Sequence, residues 1–284
     1  VFLARNNSKK VRIIAYRNDY YGGATISNVG ANVFTFNEAT TRRMIPMIKV
    51  LVQYWNCEPW IQKCINSIKT QADVEFECHI ADDMSTDGSV AIVKEMIKDD
   101  PRFTFTQRTE KYWQVRNYYE YTHEQCEDED IIVHVDGDDW LANKFVLRDV
   151  QKDYDSDPEL WIAYGQFQFL NGTMGFSAPV EDWDNIRYSM WTTSHLRTYK
   201  AWLFNLIKEK DCKYFGEWTE CTGDKFILYP MLEMAGKEHT KFVPDVRYIY
   251  NDQNPLNEHK TSLQKQISAE HYVRALTPYE RIEK

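Results

Sequence analysis

From Ile48 onward the chain alternates short apolar runs with amphipathic stretches. IKVLVQY (48–54) is almost continuously apolar, as a strand covered on both faces must be. Pro59 opens PWIQKCINSIKT, in which Trp60, Ile61, Cys64, Ile65 and Ile68 fall on one helical stripe. FECHIAD (76–82) predicts a second strand, and Ser85 or Asp87 caps a helix reaching about Ile97. RFTFTQ, WQVRNYYEYTHEQC and DIIVHVD (130–136) then predict strand, helix and strand. Alternation at this spacing predicts right-handed βαβ units on a mostly parallel α/β sheet flanked by helices. Ligands of such sheets gather at the carboxyl ends of the strands.

Beyond Trp140 the rhythm loosens. LWIAYGQFQFL (160–170) predicts a strand and residues 172–190 a long loop. TYKAWLFNLIKE (198–209) and DKFILYPMLEMAG (224–236) predict helices, the latter stopped by Gly236. KFVPDVRYIYN predicts a strand and residues 261–276 a last helix. Residues 1–46 differ: VRIIAYRNDYYGG and ANVFTFN predict short strands around Gly-Gly and Asn-Val-Gly-Ala turns. The expected organisation is therefore an N-terminal β-hairpin appendage, or the tail of an upstream domain, over 1–46. A domain over 47–256 and a C-terminal helix over 257–284 follow it.

A length of 284 residues suffices for a well-buried core. With 27% charged and 14% aromatic residues, intrinsic disorder is excluded. The balance of 34 basic against 43 acidic residues, net −9, excludes a general nucleic-acid binder. A polyanionic ligand would need a basic pocket or a divalent cation. No apolar run approaches the ~20 residues of a membrane span, and VFLARNNSKK lacks a signal-peptide core. Six cysteines without a C-x-x-C pair predict free thiols in a reducing compartment. The expectation is a soluble, cytoplasmic protein, with the secretory-pathway lumen as the alternative if an upstream signal is removed. The even cysteine count and the triplets Asn6-Asn7-Ser8 and Asn171-Gly172-Thr173 keep that alternative open.

Chemistry is concentrated at two predicted strand ends. Asp136-Gly137-Asp138-Asp139 places three carboxylates within four residues, which repel unless neutralised. A hard cation such as Mg²⁺ or Mn²⁺ takes oxygen ligands and keeps positions for phosphate; a solvated acidic turn is the plain alternative. Asp82-Asp83-Met84-Ser85-Thr86-Asp87-Gly88-Ser89 follows the second strand. It fails as a calcium loop, because Lys94 stands where a bidentate Glu is needed and a strand precedes it. Ser85, Thr86 and Asp87 serve equally as helix caps.

Together these segments resemble the family-2 glycosyltransferases with the GT-A nucleotide-sugar-binding fold. The family's first strand ends in Tyr and Asn, matched by Tyr54 and Asn56 in LVQYWNCEPWIQKCINSI. Its Asp-Asp-x-Ser-Thr-Asp-Gly-Ser signature runs here from Asp82 to Ser89, its Arg-Asn pair is Arg116-Asn117, and its Asp-x-Asp-Asp motif is Asp136 to Asp139. The resemblance covers roughly 47–256 and implies a nucleotide-sugar half (47–140) and an acceptor half (141–256). It implies an inverting transferase using Mn²⁺ or Mg²⁺, moving a sugar from a nucleoside diphosphate, expected to be UDP, to a hydroxyl on a glycan or glycoprotein.

By the same resemblance, Asp136, Asp138 and Asp139 would hold the metal. Tyr54, Asn56, Asp82, Asp83, Arg116, Asp136 and Gly137 would bind the donor, with Asp83, or failing it Asp82, accepting the uracil imide N–H. Asp224 would be the catalytic base, against the plain reading of a carboxylate at a helix N-terminus. Two departures stand out. The family's Glu-Asp at that helix is Gly223-Asp224 here, and YIYNDQNPLNEHK offers only His259 as the further metal-binding histidine of many GT-A enzymes. Trp191, His195, Arg197 and Trp218 are weaker acceptor-side candidates, as is Trp183; core tryptophans and a surface turn at 194–197 are the alternatives. The rival function is a non-catalytic nucleotide-sugar- or glycan-binding domain of a larger protein. A nucleotidyltransferase would need a Gly-rich basic loop after the first strand, and Gln53-Tyr54-Trp55-Asn56-Cys57 is not one.

Overall fold

A strand with both faces covered must feed alternate side chains into two cores, and the central strands do so. Val50 and Val52 of β3 (Ile48–Tyr54) join one apolar cluster with Val133 and Val135 of β6 (Ile131–Asp136). Leu51 and Ile132 point the other way, into a second cluster. The computed structural model describes residues 3–6, 9–12 and 46–283, and the chain forms two units, Val1–Met44 and Ile45–Lys284. In the first, β1 (Leu3–Asn6) pairs antiparallel with β2 (Lys9–Arg12), Asn6 opposite Lys9. The strands expected between residues 13 and 37 lie outside the described residues.

The second unit carries an eight-stranded sheet. β4 (Phe76–Asp82) and β5 (Phe103–Gln107) extend from β3 on one side and β6 lies on the other, all parallel. Tyr54 is therefore level with Asp82, and Gln53 with Asp136, at one edge of the sheet. Next come β9 (Arg197–Lys200), antiparallel to both its neighbours, then β8 (Ile162–Phe169), β12 (Thr240–Tyr250) and the two-residue β7 (Trp140–Leu141). Four strand spacings separate β6 from β7, about 19 Å if the sheet were flat. The chain from Asp136 to Trp140 reaches at most about 14 Å. The sheet must curl, and the acidic turn bridges the curl. β12 is bulged around Pro244, which has no N–H to give a ladder, and so delivers Tyr248 against that turn.

Helices cover both faces. α1 (Ile61–Lys69) buries Ile61, Cys64, Ile65 and Ile68, the predicted stripe, each isoleucine contributing about 1.5–3 kcal/mol; Trp60 is only half-buried, at the cap position. α2 (Ser89–Ile97) and α3 (Trp113–Gln125) follow as predicted. α4 (Val146–Ser156) arises where no element is predicted above: Val146, Leu147, Val150 and Tyr154 are buried between six charged or amide side chains that mask the stripe. The helix predicted over 198–209 is corrected. Its first residues form β9, pairing with β6 and β8, and only α5 (Ala201–Asn205) is α-helical. Filling the slot between two strands outweighs local propensity there. β10 (Lys213–Tyr214) and β11 (Glu217–Trp218) make a small hairpin before α6 (Gly223–Ala235), which is buried almost all round. α7 (Glu258–Thr261) and α8 (Leu263–Ala275) end the fold, with Ala269 and Val273 in the second cluster. Among the described residues no helix is long and apolar enough to cross a membrane, and all six cysteines are free.

The loops after β3 and β4 are stitched together. Asn56 N–H donates to Ser85 Oγ and Asn56 Oδ1 accepts from Thr86 N–H, both at 2.8 Å. Cys57 N–H donates to Ser89 Oγ, Glu58 N–H to Asp87 Oδ2, and Gly88 N–H back to Glu58 Oε2. Asp87, rather than Ser85, meets the helix, accepting the Ser89 N–H at 3.1 Å. Burial pushes the Asp87 carboxyl up, but the Ser89 hydroxyl and the N–H groups of Glu58 and Ser89 outweigh it and hold it below the usual range. Asp87→Ala is expected to cost about 1–2 kcal/mol in urea denaturation at neutral pH. A depressed pKa contributes stability above the unfolded value of about 3.9 and loses it as pH falls through the folded one. The gap between variant and wild type should therefore close in acid; a constant gap would contradict the assignment.

Candidate active site

The acidic turn is built from main-chain contacts that leave little freedom. Asp136 N–H donates to the Tyr248 hydroxyl at 3.0 Å, Gly137 N–H to Gln53 O at 3.1 Å, and Asp139 N–H to Asp136 O at 2.9 Å. A Cβ on Gly137 would lie 2.3 Å from the Tyr54 Cβ, so only glycine lets the turn pass the end of β3. Each carboxylate meets a neutral donor. Gln114 Nε2 reaches Asp136 Oδ1 at 2.7 Å, Asn254 Nδ2 reaches Asp138 Oδ2 at 2.7 Å, and Asn251 N–H reaches Asp139 Oδ1 at 2.7 Å. The asparagines after β12 form their own scaffold, Asn257 Nδ2 holding Asn251 O at 2.9 Å.

None of these donors cancels charge. Burial, then Asp138 and Asp224, push Asp136 up to about 6 against the opposing pull of Arg197. Burial also raises Asp138, and burial with its two acidic neighbours drives Asp139 far above the carboxylate range. Glu258, an exposed residue whose carboxylate reaches in to accept the Thr222 N–H at 3.0 Å, is pushed up to about 7, chiefly by burial.

From the other half, β9 and the residues before it bring His195 and Arg197, each only 5% exposed, so the surface-turn alternative is ruled out. His195 stacks on Tyr248 with ring centres 4.4 Å apart. Arg197 Nη2 lies 3.2 Å from His195 Nε2 and 3.4 Å from Asp224 Oδ2. Burial works against the Arg197 charge, but Asp224 and Asp136 more than offset it. Burial, Arg197 and His134 keep His195 neutral. Asp224 stands in the first turn of α6, fixed by Arg197 and by the Lys225 N–H at 2.9 Å. Its carboxylate is thus held without an acidic neighbour at position 223.

At the end of β4, Asp82 is fully buried and accepts the Ser85 N–H at 3.1 and 3.3 Å, beside the buried Tyr54. Asp83 Oδ1 accepts the Tyr112 N–H at 2.8 Å, Oδ2 the Trp113 N–H at 3.2 Å, and Lys111 Nζ lies 3.5 Å away. Lys111 also sits 4.0 Å over the half-exposed Trp55 ring. Asn56 is spent on the loop stitching described above. Arg116 is not brought to the acidic turn: it lies 3.6 Å over the Tyr112 ring, with Glu110 and Glu120 at 3.3 and 3.2 Å. Trp191 packs on Tyr229 of α6, while Trp218 packs on Tyr119 of α3; both, like Trp183, are half-buried against the second apolar cluster. A cavity of about 270 Å³ around Arg187, Glu233 and Tyr279 holds none of the residues singled out as site candidates except Trp183.

The cluster has the chemistry of a cation site. Ligand atoms of Asp136, Asp139 and His195 lie within 4.8 Å of one another, and the buried Asp139 Oδ2 has no hydrogen-bond partner. Carboxylate oxygens with a neutral imidazole suit Mn²⁺ well and Mg²⁺ adequately. The residues present fit a divalent cation. Among the described residues His195 is the histidine of this cluster, the His259 side chain lies outside them, and Asp138 falls outside the closest set.

A sequence profile of Glycosyl transferase family 2 matches residues 49–207, more than half of the chain. The chain belongs to glycosyl transferase family 2. Within this family, chondroitin synthase of Escherichia coli is 30% identical over 74 residues, covering 26% of this chain and 11% of that protein. Glycosyltransferase GlyA of Streptococcus pneumoniae is 30% identical over 131 residues, 45% of this chain and 18% of that protein. The matches thus span under a fifth of these relatives. S. aureus TarS 1–349 in complex with UDP-GlcNAc superposes with a TM-score of 0.58 at 21% identity, covering 76% of this chain and 61% of that one. The mannosyltransferase PcManGT from Pyrobaculum calidifontis, in complex with GDP-Man and Mn²⁺, gives 0.58 at 17% identity, covering 82% and 66%. The fold is GT-A.

In this family-2 domain the least replaceable position of the turn is Gly137. Gly137→Ala should destabilise the protein by about 1–3 kcal/mol, because the methyl must displace the strand end beneath it. Thermal melting measures this, and a variant as stable as wild type would show that the turn can move aside.

Proposed function

We propose that this domain transfers a sugar, with inversion, from a nucleoside diphosphate to a hydroxyl on a glycan or glycoprotein, and that UDP is the donor nucleotide. The observation that carries the reading is the juxtaposition, at one sheet edge, of the under-neutralised turn Asp136–Asp139 and the Asp224 carboxylate, with Arg197 between them. The UDP and UDP-GlcNAc complexes of TarS, and the GDP-Man and Mn²⁺ complex of PcManGT, support a nucleotide-sugar donor on this fold.

In this reading Asp136, Asp138 and Asp139, with His195 beside them, hold Mn²⁺ or Mg²⁺. When bound, the cation neutralises charge on the departing diphosphate. Tyr54, Asp82 and Asp83 form the floor under the base. Asp83 keeps a lone pair for the uracil imide N–H, since a carboxylate can accept about four hydrogen bonds. Asp224 takes the acceptor proton as the hydroxyl oxygen bonds to the anomeric carbon, opposite the breaking bond to diphosphate oxygen. A single displacement turns an α-linked donor into a β-linked product. Arg197 orients Asp224 and stays charged at the boundary between donor and acceptor.

Release of free UDP from a panel of UDP-sugars with Mn²⁺ tests the reading, with GDP- and TDP-sugars as alternatives. General-base catalysis contributes ~10²–10⁴-fold, so Asp224→Asn should lose about that much turnover while UDP affinity is retained. NMR of the product should show the inverted anomer. Retention of configuration, or near-normal turnover of the variant, would remove Asp224 as the base.

A further inference from the structure

The starts of α3 and α6 meet beside Asp136. Gln114, in the first turn of α3, gives its Nε2 to Asp136 Oδ1 at 2.7 Å. An ionised carboxylate only accepts, so the NH₂ end of the amide must face it and Oε1 must face elsewhere. Oε1 faces Gly223: a Cβ built there would lie 3.0 Å from Gln114 Oε1 and 2.9 Å from Val115 Cγ2. The space that a side chain at position 223 would take is therefore filled from α3.

We propose that Gln114 is a positioning residue, fixing the rotation of the Asp136 carboxylate and the spacing between the acidic turn and the helix that carries Asp224, with Gly223 as its steric complement. The inference rests on the proposed function, in which Asp136 holds the donor with its cation. Like charges on Asp138 and Asp224 push on Asp136. A lysine or arginine in place of Gln114 would steady it but would also supply the positive charge meant to come with the cation. A neutral amide orients the carboxylate and leaves its charge available.

The test is calorimetric titration of UDP at increasing Mn²⁺, on wild type and on Gln114→Met, which keeps the bulk against Gly223 and loses the donor. The Mn²⁺ concentration giving half-maximal UDP binding should rise tenfold to a hundredfold, the scale of one lost hydrogen bond to a charged group. Excess Mn²⁺ should restore UDP binding, which it would not do for a misfolded site. Gly223→Ala should produce the same defect by displacing Gln114, and Gln114→Ala/Gly223→Ala should bind no worse than Gln114→Ala alone. Wild-type Mn²⁺ dependence in Gln114→Met, a loss that excess Mn²⁺ does not recover, or additive effects in the double variant would each overturn the inference while leaving the proposed function standing. If wild type itself takes up no UDP with Mn²⁺, the functional reading falls and this inference with it.

Discussion

Negative charge gathered at the carboxyl end of β6, and only partly answered by the protein, is the constraint on which the rest of the site depends. Asp136, Asp224 and Glu258 share the field of the buried Arg197, while Asp138 and Asp139 crowd the same turn without it. Two like charges 4 Å apart repel by roughly 4 kcal/mol at an effective dielectric of about 20. A fold that only needed stability would place a second cation there. Instead the carboxylates are fixed by Gln114, Asn254 and the Asn251 N–H, neutral donors that hold position and leave the charge. Such an arrangement leaves negative charge that, in the proposed function, a divalent cation carrying a diphosphate answers.

The curl of the sheet makes this concentration possible. The short link from Asp136 to Trp140 ties β6 to β7 across the sheet, and the bulged β12 then lays Tyr248 and Asn251 onto the turn. On the other flank, the Asp82–Ser89 segment divides its labour. Ser85, Asp87, Gly88 and Ser89 stitch two loops together, while Asp83 secures the start of α3 and so the placement of Gln114. Much of a motif that reads as a binding signature is local architecture. In the proposed function Asp82 and Asp83 line the base, and the rest of the motif acts through where it holds its neighbours.

Local patterns were informative where one segment does one job. The apolar run of β3, the stripe of α1 and the strand-end aspartates stand in the structure as the chain's periodicity predicts. Long-range pairing was not legible. Thr198-Tyr199-Lys200 runs directly into α5 and reads as helix, and only β6 and β8 on either side make it a strand. His195 stands 59 positions after Asp136, so no spacing rule joins it to the acidic turn, and the sequence offers it only as a weaker acceptor-side candidate. Gln114 carries no motif at all. Its signal is the missing side chain at Gly223, which makes sense only once α3 is seen against α6.

A cluster built to receive a cation should respond to the cation alone, without nucleotide. Thermal melting of metal-free protein should be followed from pH 5 to 7.5, with and without Mn²⁺. Asp136 and Glu258, raised to about 6 and about 7, bind protons more tightly in the folded state. Their contribution to stability is present at low pH and is lost as pH rises through those values. The account predicts a metal-free melting temperature that falls across this range, and a rise on adding Mn²⁺ that is large at pH 7.5 and small at pH 5. A melting temperature indifferent to Mn²⁺ at pH 7.5 would contradict it.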